Sequence, residues 1–221
     1  MRFALTSEHR DFFQRNGFIE FEGIFSEEQL THLQQLSEQV IQTRLSTPRI
    51  EKTPTPTLYR EGYDLSRESL NLQRTLYKRP LCEIASELFQ TKPLQLGFEQ
   101  YFAITTHSEP PLQLYASLSD LSCVKPLAGG LFILFSDPLA PEASLPLPSK
   151  LGNILLFSPT LMIAWSAIFK QVGLRLLLIA FAEEKSLYRD ELRDPQRHHL
   201  KKLGYVFGDR LKDSLHPILL R

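Results

Sequence analysis

The sequence predicts a mainly β domain with α-helices at both ends. Short apolar runs of strand length follow one another from residue 94 to residue 182, separated by turns rich in Pro and Ser. Apolar residues at helical spacing dominate before this stretch, and charged sequence of helix and loop type follows it. Strands in this number and spacing are typical of a sandwich or a closed barrel.

Length, charge and cysteine content limit the classes of protein to which the chain can belong. It has 221 residues, enough for one domain with a full core, and its 25 basic residues balance 25 acidic ones. This balance gives no overall field that favours nucleic acid or an anionic membrane. Cys82 and Cys123 match no metal-ligand spacing, and the N-terminus is charged too early for a signal peptide. We expect a cytoplasmic single domain with N-terminal helices and a strand (1–93), a core (94–182) and a helical tail (183–221).

Capping patterns define the elements before the core. Thr6 or Ser7 can cap a short helix, and Gly17 supplies the left-handed residue that ends it. Residues 26–29 have capping-box spacing, which predicts the start of a second helix with one apolar face. The predicted elements are helices over 8–16, after 26, over 66–78 and over 80–89, and a strand over 18–23.

Two segments depart from this pattern. Residues 46–57 contain several prolines and threonines and predict an exposed loop, which is either a lid over a site or a tolerated insertion. Residues 151–169 contain no charged residue and are close to the length of a membrane-spanning helix. Ser158 and Pro159 interrupt this second segment, and because a proline breaks a helix interior, we reject a membrane span.

Apolar runs of β-branched and aromatic residues provide the strands of the core. One residue does not fit this composition, because Arg175 lies inside the most apolar run. A guanidinium in a buried strand is tolerated only when it is paired or faces a cavity that holds an anion. The runs lie at 94–104, 112–118, 131–135, 154–157, 161–168 and 174–182.

Three stretches resemble one known family. They are residues 5–34, the run Gly129–Asp137 and the run Gly152–Phe157 followed by Arg175. Together they are similar to the phytanoyl-CoA hydroxylase-like branch of the Fe(II)/2-oxoglutarate oxygenases. The resemblance implies a double-stranded β-helix, a cupin-like jelly roll, with helices packed outside it.

The resemblance also implies where a metal site should lie. In that family a His-x-Asp pair and a distal His hold iron, and an Arg about eleven residues after the distal His binds the co-substrate carboxylate. Arg175 matches that Arg, but counting back reaches 163–165, Ile-Ala-Trp, without a histidine. The early pair should fall within 113–117, which contains neither His nor an acid. His107 and Glu109, slightly upstream, are the remaining candidates for displaced ligands.

These departures predict a degenerate oxygenase with no catalytic residue and no cofactor. We expect it to bind a small anion or a protein partner. Arg175 is then either a vestigial 2-oxoglutarate carboxylate site or part of a buried ion pair. Trp165, near the missing distal ligand, would line and partly fill the old cavity.

Two other functions stay open on the sequence alone. One is an active Fe(II)/2-oxoglutarate dioxygenase whose displaced ligands hold iron and 2-oxoglutarate as cofactors. The other is a cation-responsive regulator that binds nucleic acid through the basic tail tract, where paired histidines stand among positive charges. A solvated helix face explains the same tract, because it is short and no recognised DNA-reading motif accompanies it. The candidate phosphate-binding residues are Arg197, His198, Lys201 and Lys202.

Overall fold

The computed structural model describes most of the chain. The predicted loop over 46–57 lies outside the described residues beyond Ser46, and so do His107 and Glu109. Among the described residues, no helix has the length and apolar character needed to cross a bilayer. The described ranges are 5–46, 61–104, 115–136 and 146–221.

Helices flank the β-structure, and the predicted caps start and end the first of them. The Thr6 side chain accepts a hydrogen bond from the His9 backbone N–H, and Gly17 ends the helix with φ 75°. The helical segments are α1 (Ser7–Asn16), α2 (Glu27–Ser46), a 3-10 turn (Leu65–Arg67), α3 (Leu70–Leu76), α4 (Arg79–Leu88), α5 (Leu118–Leu121), α6 (Trp165–Ile168) and α7 (Arg197–Lys202).

Eight described strands form two antiparallel sheets. The large sheet has the order β1-β5-β4-β7-β2-β8, and a two-stranded sheet joins β3 to β6. The mainly β fold class with flanking helices is confirmed. The strands are β1 (Phe18–Phe21), β2 (Leu94–Ala103), β3 (Tyr115–Ala116), β4 (Val124–Ser136), β5 (Ile154–Phe157), β6 (Ile163–Ala164), β7 (Arg175–Tyr188) and β8 (Ile218–Leu220).

Several elements differ from the sequence prediction. β4 begins at Val124, seven residues before the expected run, and the tail expected to be helical contains the strand β8. The single helix expected over 66–78 is divided into the 3-10 turn and α3, because the Ser69 hydroxyl accepts from the Leu72 N–H and starts a new helix. The strand expected over 161–168 is a two-residue strand followed by α6. β7 continues past the expected end at Ala182, because its charged half pairs with the start of β4.

The two faces of the large sheet bury two apolar layers. Along β7, alternate side chains such as Leu177 and Ile179 pack with the flanking helices. Their neighbours Leu176 and Leu178 pack in the interior that β3 and β6 cover. The period-two alternation of a strand therefore supplies both cores from one element.

Buried acidic groups connect the segment around the 3-10 turn to β2. Glu99 is fully buried and accepts hydrogen bonds from the Ser66 N–H and the Tyr77 hydroxyl. Asp64 accepts from the Glu99 N–H at 3.2 Å and forms an ion pair with Arg67, with 2.6 Å between Oδ2 and Nη2. Burial raises the pKa of Glu99, and it raises the pKa of Asp64 to about 7.

His216 is a buried histidine behind the start of β2. It has no exposed surface, and its Nδ1 lies 2.7 Å from the Gly97 carbonyl oxygen, so Nδ1 carries the proton and donates. Within the described residues, Nε2 is buried without a hydrogen-bond partner. Burial, with the nearby Arg67 charge and a smaller effect of His199, lowers the pKa of His216 to about 4. The imidazole is therefore neutral in the folded protein.

We predict that His216 makes the protein acid-sensitive. Its folded pKa of about 4 lies below the ordinary value of 6.5, so the unfolded chain binds a proton first as the pH falls. Stability from this group is fully present above pH 6.5 and is lost as the pH falls towards 4. The loss by pH 4.5 should be about 2–3 kcal/mol. The stability difference between wild type and His216→Asn, measured by urea denaturation, should therefore shrink between pH 7.5 and pH 4.5.

A matched control is His32→Asn on the exposed face of α2. The change with pH should be larger for His216→Asn than for this replacement of an exposed histidine. Asp64 has a raised pKa, so its contribution to stability changes with pH in the opposite direction. Asp64 is present in every protein compared, and its contribution therefore cancels. A His216→Asn difference that does not change with pH would contradict this assignment.

Candidate functional site

A cavity of about 60 Å³ lies between the inner face of the large sheet and the helical turns that cover it. It opens to solvent on one side, and aromatic and aliphatic side chains form most of its wall. β2, β7, α5, α6 and the segment before α7 all contribute to it. The lining residues are Phe98, Gln100, Phe102, Leu118, Leu121, Ser122, Trp165, Phe169, Leu178, Asp194, Pro195 and Gln196.

A bulge in β2 aims three of these side chains into the cavity. The register with β7 shifts between Leu96 and Phe98, at Gly97. Leu96 packs on the helix side of the sheet, whereas Phe98 packs with the interior layer although it is two residues further along. A regular strand would have kept both on one face. The bulge therefore places Phe98, Gln100 and Phe102 in the cavity wall.

Trp165 forms another part of the wall. It is 4% exposed, and its indole Nε1–H donates to the Ala116 carbonyl oxygen at 3.0 Å. Its ring stacks on Phe169 and meets Phe132 edge to face, with centroids 6.5 and 6.1 Å apart. These contacts hold the indole in a fixed position because both its polar and its apolar parts are satisfied.

Polar groups at the cavity edge bond to other protein groups. The Gln196 amide donates to the Gln100 side-chain oxygen at 2.8 Å, and the Gln100 amide donates to the Tyr101 carbonyl at 3.0 Å. The Asp194 carboxylate accepts from the backbone N–H groups of Cys123 and Gln196. Burial raises the pKa of Asp194 to about 6, although these backbone donors act in the opposite direction. These bonds join the segment before α7 to β2 and to the backbone at Cys123.

The described residues around the cavity do not fit a ferrous ion. Ile163, where the resemblance places the distal ligand, is fully buried and apolar. Ser117, in the segment of the expected early pair, caps α5 in a box with Asp120. Among the described residues that line the wall, Asp194 is the one carboxylate and none is a histidine. Within the described ranges, no three His, Cys, Asp or Glu side chains are grouped so that they could hold a metal.

Arg175 and Trp165 do not share a site. Arg175 begins β7 on the same strand face as Leu177, which packs with the helices, and its Nε lies 3.2 Å from Oε1 of Glu38 on α2. Both side chains of this pair are 41% exposed. The ion-pair alternative is therefore the arrangement present, at a half-exposed position instead of a buried one. The guanidinium faces away from the cavity and offers it no anion site.

The basic tail tract forms α7, and its charges are partly compensated. Arg197 and Lys201 both pair with Asp190. The His199 ring packs edge to face on Tyr63 with centroids 4.8 Å apart, and burial lowers its pKa to about 4. His198 is exposed. The positive charge that a phosphate would meet is therefore smaller than the sequence suggests.

Sequence reasoning missed several residues of this region. Glu99 lies in an apolar run, as Arg175 does, and the same misfit between charge and context could have identified it. Asp194 and Gln196 carry no local signal, because only the folded chain brings them to the cavity. The cavity-lining position of Trp165 follows from the structure, whereas a role for Trp165 in binding stays a prediction.

We predict that Arg175→Ala has a small effect on stability. An ion pair between half-exposed side chains contributes under about 1 kcal/mol, because solvent screens both charges. A double-mutant cycle with Glu38→Ala, measured by urea denaturation, should give a coupling energy in that range. Arg79→Ala, which removes an even more exposed pair with Glu83, is the control. A loss of about 3 kcal/mol or more for Arg175→Ala would indicate a buried charge pair instead.

Solved structures resemble this chain closely in fold and only distantly in sequence. Neither a protein-family model nor a curated protein sequence matches it. The non-heme α-ketoglutarate (2-oxoglutarate) dependent carbocyclase SnoK from nogalamycin biosynthesis matches with a TM-score of 0.70 and 14% identity, over 96% of each chain. The epimerase SnoN matches with a TM-score of 0.65 and 12% identity, over 96% of this chain and 97% of that one.

A third structure extends the comparison. CT296 from Chlamydia trachomatis matches with a TM-score of 0.51 and 16% identity, over 83% of this chain and 99% of that one. Identities this low show a shared architecture and leave activity open. The chain therefore has the double-stranded β-helix fold, the jelly roll found in α-ketoglutarate-dependent non-heme enzymes.

Proposed function

We propose that this protein is a non-catalytic relative of the Fe(II)/2-oxoglutarate oxygenases that binds a small ligand in the cavity beside Trp165. The observation that carries the proposal is the apolar replacement of the metal position. Ile163 and Trp165 are buried where the resemblance requires a distal histidine. Neither side chain has a donor atom that could hold ferrous iron, which these enzymes bind through imidazole and carboxylate groups.

The cavity supports the ligand-binding half of the proposal. It lies within the jelly roll, its wall is mostly apolar, and a few polar groups converge at its edge. Pockets with these properties are the usual sites for small molecules. The rigid packing of Trp165 against Phe169 would preserve the shape of such a pocket without a ligand.

Two finer assignments belong to the same proposal. The N-terminal order α1, β1, α2 supports an origin in the phytanoyl-CoA hydroxylase-like branch, because residues 5–34 carry the resemblance to it. The two cysteines, Cys82 and Cys123, are buried free thiols, which suits a reducing cytoplasm.

We predict that the purified protein does not use iron. Anaerobic protein supplied with ferrous salt and 2-oxoglutarate should show no metal-to-ligand charge-transfer absorption, because the described residues of the cavity wall include no imidazole to bind iron. It should also consume no 2-oxoglutarate in air, as measured by succinate release. Metal analysis of protein expressed in iron-supplemented medium should give far less than one iron per chain.

The same assays test the active-enzyme alternative through His107 and Glu109. Stoichiometric iron that is lost in His107→Ala but kept in the control His32→Ala would replace this proposal with a working oxygenase whose ligands are displaced. Iron that both variants keep would also contradict the proposal and would place the ligands elsewhere.

A further inference from the structure

We infer that the cavity beside Trp165 receives the uncharged, apolar end of its ligand, such as one aromatic ring, and excludes dicarboxylates. This inference rests on the proposed ligand-binding function and names the chemistry of the ligand. It differs from the expectation of a retained anion site, because it assigns the site to a neutral group.

The wall of the cavity favours an aromatic ring. Four of the described aromatic side chains line it, and the rings of three of them meet edge to face or stack on one another. Phe102 meets Phe169 edge to face with centroids 5.3 Å apart, and Trp165 stacks on Phe169. A further ring can adopt the same offset or edge-to-face contacts. The four aromatic side chains are Phe98, Phe102, Trp165 and Phe169.

The polar groups at the edge are already bonded to the protein. The Trp165 indole N–H donates to Ala116, and the amides of Gln196 and Gln100 donate to protein oxygens. The Ser122 hydroxyl accepts from the Val124 N–H at 3.0 Å. A charged ligand would lose its hydration on entry, and groups that already bond to the protein are less able to replace that hydration.

Among the described residues, Arg175 and Asp194 do not favour an ionic ligand in the cavity. The guanidinium of Arg175 lies on the opposite face of the sheet, paired with Glu38, so it cannot neutralise a carboxylate in the cavity. Asp194 would repel an anion. It would also be a poor partner for a cation, because its oxygens accept from the backbone at Cys123 and Gln196. A neutral group is not repelled by Asp194 and needs no partner of opposite charge.

The size of the cavity limits how much of a ligand can enter. Its volume of about 60 Å³ is well below the range of about 300–1,000 Å³ that is usual for whole small-molecule sites. Because one side is open to solvent, a ligand can insert one end and leave the rest outside. One ring or a short alkyl end therefore fits the space better than a complete branched metabolite.

Trp165 makes a direct test possible, because it is the one tryptophan of the chain and lines the cavity. We would titrate the full-length protein with toluene, benzoate and benzylammonium, which share a ring and differ in charge. Trp165 fluorescence should change saturably with toluene at a Kd at least about tenfold lower than for either ion. In parallel, the NMR signal of the single indole N–H should move only with the ligand that enters.

Two matched variants locate the binding. Leu121→Phe adds bulk to the cavity wall and should weaken toluene binding at least about tenfold. Leu192→Phe makes the same change at a leucine that is 76% exposed and should bind toluene as wild type does. If Leu121→Phe does not fold, as judged by far-UV circular dichroism, the indole N–H titration of the wild-type protein decides the location.

The outcomes separate the inference from the function on which it rests. Preferred toluene binding that perturbs Trp165 and is weakened in Leu121→Phe supports both. Tighter binding of benzoate or benzylammonium would overturn the inference and keep the cavity as a ligand site. Toluene binding that leaves the indole signal unmoved would overturn the inference by placing the ligand elsewhere. No binding by any of the three up to their solubility would overturn the inference and the proposed function together.

Discussion

The alternation of side chains along β7 is the constraint on which the rest of the structure depends. This strand pairs with β4 on one side and β2 on the other over Arg175–Ala182, so this part of it is central in the sheet. Its odd-numbered apolar residues, such as Leu177 and Ile179, build the layer beneath the helices. Its even-numbered ones, such as Leu176 and Leu178, build the jelly-roll interior. A shift of one residue would exchange the two cores, which fixes the register of every neighbouring strand.

The same alternation decides what Arg175 can do. Because it shares a face with Leu177, its side chain meets α2 and pairs with Glu38 instead of reaching the cavity. The position of Arg175 in the sequence suggested an anion site. The face of the strand on which it lies instead gives an ion pair with Glu38. In β2 the side chains move towards the cavity instead of away from it. The bulge at Gly97 places Phe98, Gln100 and Phe102 on the cavity face of the sheet. Arg175 of β7 and Phe98 of β2 therefore lie on opposite faces of one sheet.

Much of the fold could be predicted because its signals are local. The cap at Thr6, the stop at Gly17 and the capping-box spacing before α2 act within a few residues, and the helices follow them. The extension of β7 could not be predicted this way, since its charged residues resemble a helix until the pairing with β4 is known. The candidate site was still less predictable. Asp194 and Gln196 reach the cavity only through contacts with residues 71 and 96 positions away in the chain.

The apolar wall of the cavity has a cost in stability, because the cavity opens to solvent and its aromatic and aliphatic side chains are not all removed from water. Apolar surface that stays in contact with water forgoes about 25 cal/mol per Å² of the stabilisation that burial would give. A larger side chain at Leu121 would cover part of this surface. The wall instead holds four aromatic rings around the space, with the indole of Trp165 fixed by its hydrogen bond to Ala116. Aromatic side chains held in fixed positions around an apolar space that opens to solvent are what the proposed ligand-binding cavity requires.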